Sequence, residues 1–269
     1  MGLTAIDFDK YVIDKFDVVA GISKTTGELY FMFDEIKDGS LENGSEKVYG
    51  TGAHGARISA LNTNKTAKFT CNNGFIVGGA VTTQIGGTAI TASAENKIVT
   101  PNIEIVEVID PTKITLEQIP VGTTGVEIPF IFKANKDMTQ GDKFAISATA
   151  SETAFALTPE TKTITLPTGK FVKGDHVIVI YNYEASVGKK FTNSGNEYAK
   201  TCKLIIDVLC RDICDNETVI HTKFVFPNAS VDGNFNIQVG NEPAVHAFSA
   251  EALQEVCSAN KELWSWYVV

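Results

Sequence analysis

From Ile103 onward the chain is cut into short apolar or alternating runs, IEIVEVI, KITLE, IPFIF, DKFAIS, TKTITL and DHVIVIYNY, separated by PT, GTTG, KANKDMTQG, TPE and PTGKFVKG. Runs of this length between turn-forming residues are too short for ordinary helices and read as strands. In DHVIVIYNY, Val177, Val179, Tyr181 and Tyr183 fall on one face and Ile178 and Ile180 on the other, because successive strand side chains point to opposite sides. A strand apolar on both faces belongs at the centre of a sandwich or barrel. KLIIDVL, HTKFVF and GNFNIQV follow, the last setting Phe235, Ile237 and Val239 against Asn234, Asn236 and Gln238. The chain is therefore expected to be mainly β, with packed antiparallel sheets in a sandwich or barrel-like arrangement.

The first hundred residues read similarly. Phe8, Tyr11, Val12, Lys15 and Phe16 fit either a short helical face or an extended arm, and ELYFMFDEI (Glu28 to Ile36) is a strand with both faces apolar. DGSLENGSEKVYGTGAHGA, from Asp38 to Ala56, lacks a useful period and reads as a long loop. ARISAL and TAKFTC are strand-like and joined by a turn at NTNK, and Phe75, Ile76, Gly79, Val81, Thr82 and Ile85 fit one side of a short, glycine-weakened helix ending at Gly86 and Gly87. The strongest helix candidate is in the C-terminal region, with Ser249 as N-cap, Glu251 in the first turn and Leu253, Val256 and Cys257 on one stripe. The final LWSWYVV alternates Trp264, Trp266 and Val268 with Ser265, Tyr267 and Val269, an apolar strand that should be paired in a sheet or covered by another subunit. One interwoven β-domain over residues 1–269 is expected, with an elaboration or inserted module at about 111–167.

The charge excludes one class of function. The chain carries 32 acidic against 23 basic residues, a formal −9, and its arginines are Arg57 and Arg211. Tight nucleic-acid binding needs a basic footprint and arginine forks; a net negative surface suits a passage that DNA crosses without sticking. No run of about 18 apolar residues exists, and MGLTAIDFDK resembles no export signal, so no membrane anchoring and cytoplasmic folding are expected. Five cysteines spread over a chain this long read as reduced, packing thiols.

Candidate chemistry fails on spacing. Gly50, Gly52 and Gly55 in GTGAHG have the spacing of a dinucleotide fingerprint, but neither a buried strand before it nor a crossover helix after it is present, and an acidic residue about 20 positions on is missing. Of Cys202, Cys210, Cys214 and His221, only Cys210 and Cys214, with RDI between them, have the compact spacing of a structural zinc pair, and Cys202 ahead of KLIIDVL would need an unusual bend to join them, so they read as packing cysteines. No GxSxG elbow, HExxH pairing or EF-hand pattern occurs, and acidic pairs such as Asp207 and Asp212 solvate strand ends. Trp264, Trp266 and Tyr267 fit a packed last strand or an anchor between subunits. No catalytic, cofactor-binding or metal-ligating residue is assigned, and the chain is not expected to be an enzyme.

Two stretches carry a family resemblance: VYGTGAHGARISAL with NKTAKFTCNNGFIVGGAVTTQIGG, and KLIIDVLCRDICDNE with TKFVFPNASVDGNFNIQVG and FSAEALQEVCSANKELWSWYVV. Together they resemble the major tail tube proteins of long-tailed, non-contractile phages and prophages, particularly of Gram-positive hosts. The resemblance implies two packed antiparallel sheets flanked by a helix. It implies six subunits closing into a ring, and rings stacked as a hollow tube in the virion tail, assembled in the host cytoplasm. The implied partners are other copies, a tape-measure protein, tail terminator and distal-tail or baseplate proteins, with DNA in non-specific transit. An extended loop of the family contacts neighbours, which makes Tyr49, Gly50, Gly52, His54, Gly55 and Arg57 the contact candidates and Trp264, Trp266 and Tyr267 the packing or interface candidates. Another virion component (contractile-tail tube, baseplate or capsid decoration protein) and a carbohydrate-binding β-module are the competing expectations.

Overall fold

The computed structural model describes residues 10–214, 217–237, 245–255 and 261–268. In chain order it forms β1 (Tyr11–Ile22), β2 (Leu29–Phe33), β3 (Ile36–Thr51), β4 (Arg57–Asn73), α1 (Gly78–Ile85) and β5 (Ala89–Thr91). Then come β6 (Ile98–Glu107), β7 (Lys113–Thr115), β8 (Phe130–Ala134), β9 (Gln140–Ile146), β10 (Ala154–Thr158), β11 (Thr163–Thr165) and β12 (His176–Ala185). β13 (Lys189–Phe191), β14 (Thr201–Asp212), β15 (Val219–Val231), β16 (His246–Ala252) and β17 (Ser265–Val268) complete the chain. The mainly β expectation is met. Two compact units result, residues 1–89 with 191–269, and residues 90–190.

The first unit is an eight-stranded antiparallel sheet in the order β2-β1-β14-β15-β16-β4-β3, with β17 added on β15. β14 shows why it forms: Cys202, Leu204, Ile206, Val208 and Cys210 alternate into the core while their neighbours face outward. The sheet curls until its far strands meet, as Phe16 of β1 lies edge-on to Phe69 of β4 at 5.3 Å and sits over Gly39 of β3. Phe31 and Phe33 of β2 reach Phe248 of β16 at 4.9 and 5.3 Å inside the curl. β15 continues straight through Pro227, which has no N–H to give the ladder. Opposite Cys202 and Leu204 the register slips by one residue, so the proline lies in a bulge.

α1 forms where the sequence placed a short helix, and it is anchored through a buried histidine. The Val77 N–H donates to His246 Nδ1 at 3.2 Å, which leaves Nε2 to donate to Gln84 Oε1 at 2.7 Å, while Gln84 Nε2 donates to the Ala247 carbonyl. Burial holds the His246 pKa below the ordinary value of 6.5. A proton on Nδ1 would set two donors against each other. The neutral imidazole's contribution is thus complete above the unfolded pKa near 6.5 and is lost as pH falls through the lower folded value. The expected result is a denaturant midpoint that drops as pH falls below about 6.5, with a His246→Gln variant losing most of that dependence. Equal slopes for the two proteins would rule the histidine out as the cause.

Four sequence expectations are corrected. Asp38 to Ala56 is not a loop: most of it is β3, paired along its length with β4. NTNK is not a turn but a bulge in β4, with Asn64 at φ 48°, a register slip opposite at Gly44 and Glu46, and Asn64 Nδ2 donating to Glu46 Oε2 at 2.6 Å. Ser249 is no N-cap, because Ser249 and Glu251 lie within β16 on the β4 ladder; Val256 and Cys257 lie outside the described residues. The start of GNFNIQV is not a strand: Asp232 Oδ1 accepts from both the backbone N–H and the side-chain amide of Asn234 and turns the chain. Gln238 and Val239 are outside the described residues. Of the two readings left open for the N-terminal stretch, the extended one is found from Tyr11, with Phe8 outside the described residues.

The second unit has its own core and a seven-stranded sheet in the order β6-β12-β8-β9-β10-β11-β7, antiparallel except for the β9–β10 pair. Ile131, Phe155, Ile164, Val177 and Val179 are fully buried in it. On the same face Tyr181 donates to Glu104 Oε2 at 2.6 Å and accepts from Asn102 Nδ2 and the Gln118 N–H, and the Glu117 N–H donates to Glu104 Oε1. Burial, and then the Glu104 carboxylate, raise the Tyr181 pKa, so the phenol stays a donor. The network ties the segment at 117–118 to the sheet.

Candidate functional site

β16 pairs with β4 over Lys68–Asn73 and stops there. Beyond it, from Gly44 to Thr66, β3 and β4 have only each other. The change is visible in burial: Ala67, Phe69 and Cys71 of β4 are in the core, whereas nearly every residue from Arg57 to Thr66 is exposed. The result is a two-stranded ribbon with no core of its own, a form that is marginally stable alone in water.

Its composition is not that of a solvated ribbon. Val48 faces Leu61 across the strands, and they are 55% and 66% exposed; Ile58 near the tip is 73% exposed. Val48 and Leu61 share one face with Gly50 and Ser59, while Tyr49, which is itself 40% exposed, and Ala60 lie on the opposite one; Ile58 sits unpaired in the register slip beside Gly50. Both faces therefore carry apolar side chains, which fits a ribbon that becomes covered on two sides.

The contact candidates named from the sequence all fall at this tip. The Tyr49 ring lies under the Arg57 guanidinium, whose carbon is 3.9 Å from the ring centroid. The turn is closed by the Gly52 N–H donating to the Ala56 carbonyl at 2.8 Å and the Gly55 N–H donating to the Gly52 carbonyl at 2.9 Å, with Gly55 at φ 77°. His54 projects from the turn, exposed. Glycines here shape a tight turn and not a phosphate cradle, since a strand and no helix follows.

Sequence reasoning missed Val48, Ile58 and Leu61. Their signal was the alternation within KVYGT and ARISAL, which acquires meaning only once the two segments are paired. The C-terminal candidates lie elsewhere: Trp266 stacks on Phe224 at 4.7 Å, Trp264 meets the same ring edge-on at 5.6 Å, and Tyr267 faces solvent. Trp264 Nε1 donates to Asn43 Oδ1 at 3.1 Å, so β17 braces the point where the ribbon leaves the sheet. The two tryptophans are partly buried, so they form no open aromatic platform of the kind a sugar needs.

Among the described residues no group of three or more His, Cys, Asp or Glu side chains is placed to hold a metal ion. Cys202 and Cys210 point into the core of β14, and Cys214 is exposed. Burial pushes the Cys71 and Cys202 thiols up to about 12, the opposite of what a nucleophile needs. Among the described residues no helix is long and apolar enough to cross a membrane.

A family model described as the YomU/Tube protein family matches residues 11–264 of the chain. No curated protein matches it.

Proposed function

We propose, on the premise that this chain belongs to the YomU/Tube protein family, that it is the subunit from which a long-tailed phage or prophage builds the hollow tube of its tail. The chain is a β-rich member of that family. The observation that carries the finer reading is the bare ribbon from Gly44 to Thr66, with Val48 and Leu61 exposed on one face, Tyr49 on the other and Ile58 exposed near the tip.

The mechanism follows from geometry. β2 and β3 end the sheet of the first unit, and the ribbon of β3 and β4, which runs on beyond the end of β16, offers a contact to a surface other than itself. Such a heterologous contact, repeated, closes into a ring when its rotation divides a full turn, and a second contact along the axis stacks the rings. Six copies per ring, a tape-measure protein held inside during assembly, and later passage of DNA are the tail-tube form of this arrangement. The net charge of −9 keeps a polyanion from adhering to such a passage. The ribbon's loss of freedom on docking is offset by covering its apolar faces. Residues 90–190 are an inserted module carried by the tube subunit.

Electron microscopy of the concentrated chain is the test. Rings or hollow stacked tubes are expected, alone or with a tape-measure protein added. A chain that stays without rings under both conditions would overturn the reading.

A further inference from the structure

The outer face of the second unit's sheet carries an apolar patch that its own fold leaves open. β12 has apolar residues on both faces, the pattern of a strand covered on both sides, yet only the Val177, Val179 and Tyr181 face is buried. On the other face the ladder aligns Ile105 with Ile178 and Phe132, and Ile103 with Ile180, beside Phe130. Ile103 is 69% and Ile180 48% exposed, and Ile105 and Phe130 are exposed as well. From ordinary side-chain sizes this is roughly 400 Å² of apolar surface, the scale at which a patch marks an interaction site.

We propose that this face pairs with the same face of a second copy of the chain, sheet on sheet, about a two-fold axis running along the strands between β12 and β8. Two features favour a face contact between copies. β6 is the edge of the sheet, but Pro101 sits in the middle of it and removes a ladder donor, which blunts extension through the edge. The charges at the margins are also of opposite sign: Glu107 stands on the β6 side, and Lys143 stands on the β9 side with its Nζ 3.4 Å from the Phe130 ring centroid. A two-fold along the strands lays β6 over the partner's β9, bringing Glu107 of one copy to the Lys143 margin of the other, twice. The axis perpendicular to the strands would set β6 on β6 and β9 on β9, and so would not bring Glu107 of one copy to Lys143 of the other.

Covering the patch on both copies removes about 800 Å² of apolar surface, below the 1,200 Å² of stable stand-alone complexes. The pair is therefore weak and reversible, with a dissociation constant of about 1–50 µM. It is isologous and closed, so it is distinct from the repeating contact that builds a ring, and it does not depend on the tube reading.

The test is sedimentation equilibrium of the full chain at about 100 µM, above such a dissociation constant, in a Val48→Lys, Leu61→Glu background so that ribbon contacts do not contribute. A monomer–dimer equilibrium is expected. Ile180→Lys should weaken it by about a hundredfold or more with an unchanged unfolding curve, since the side chain is half exposed. Lys143→Glu alone should weaken it, and Glu107→Lys with Lys143→Glu should restore it. A chain that is monomeric throughout overturns the proposal, as does a dimer that ignores Ile180→Lys or one that is not rescued by the charge exchange. Failure to form tubes would leave these outcomes where they stand, and tubes formed by a chain with no such dimer would separate the two readings in the other direction.

Discussion

Val48→Lys with Leu61→Glu is expected to abolish ring and tube formation while leaving the subunit folded. The two side chains face each other across β3 and β4 and are mostly exposed in the free chain. Exposed substitutions change stability by only about half a kcal/mol, and a lysine directly opposite a glutamate keeps a cross-strand attraction in place of the apolar one. The ribbon therefore stays paired. In the assembly proposed above the same positions would be covered, and each lost aliphatic contact removes about 1.5–3 kcal/mol. Two per subunit give at least about 3 kcal/mol, or more than a hundredfold in the concentration needed to polymerise, before the cost of burying two charges is counted. The check is paired: electron microscopy and sedimentation for polymers, thermal unfolding for the subunit. Polymers at the wild-type concentration would mean that the ribbon is not the assembly contact. Arg57→Ala, which removes only the cation–π contact on Tyr49, should have a much smaller effect, near the 0.5–1 kcal/mol of exposed pairs.

What the sequence disclosed and what it hid divide along one line, whether a strand's partner leaves a trace in its own residues. β12 and β14 alternate buried and open positions strongly enough to be read alone. β3 does not, because most of it has solvent on both sides and its strand form comes from pairing with β4. Its glycines and polar residues made it look like a loop, although the contact candidates on it were placed at one tip. The bulge at Asn64 presents the same letters as a turn; only the unbroken ladder on either side distinguishes them. Ser249 had the chemistry of an N-cap, but Phe248 and Ala250 point into the core with His246, and β4 supplies the partner from about 180 residues away. In β12 the pattern was read correctly and its implication was incomplete: the second face is apolar, and the unit does not cover it. That mismatch between pattern and burial is the residue of information that points outside the chain.

Gly79→Ala should destabilise the first unit by about 3 kcal/mol or more, against the direction that helix propensity predicts. Alanine is the better helix former by about 1 kcal/mol, and α1, GGAVTTQI, is poor in good formers. The helix exists because it can approach β2 closely. A Cβ at Gly79 would lie 2.0 Å from the Tyr30 carbonyl oxygen and 3.4 Å from the Phe31 Cα. Those are strand backbone atoms, which cannot rotate aside as a side chain can, so the helix has to lift. Lifting it strains the links from the helix to β16, the Val77 N–H to His246 and the Gln84 amide to the Ala247 carbonyl. At the far end Gly86 supplies a cleaner comparison. It and Gly27 share a φ of 75°, but a Cβ at Gly86 would lie 2.0 Å from the Tyr198 carbonyl oxygen, whereas nothing lies within 4 Å at Gly27. Gly27→Ala therefore carries only the left-handed backbone cost of about 1–2 kcal/mol, and Gly86→Ala carries that cost plus a backbone collision. The difference between their denaturant midpoints isolates the collision from the backbone strain. Equal losses would mean that the loop at Tyr198 moves freely and that α1 is held by its histidine anchor alone.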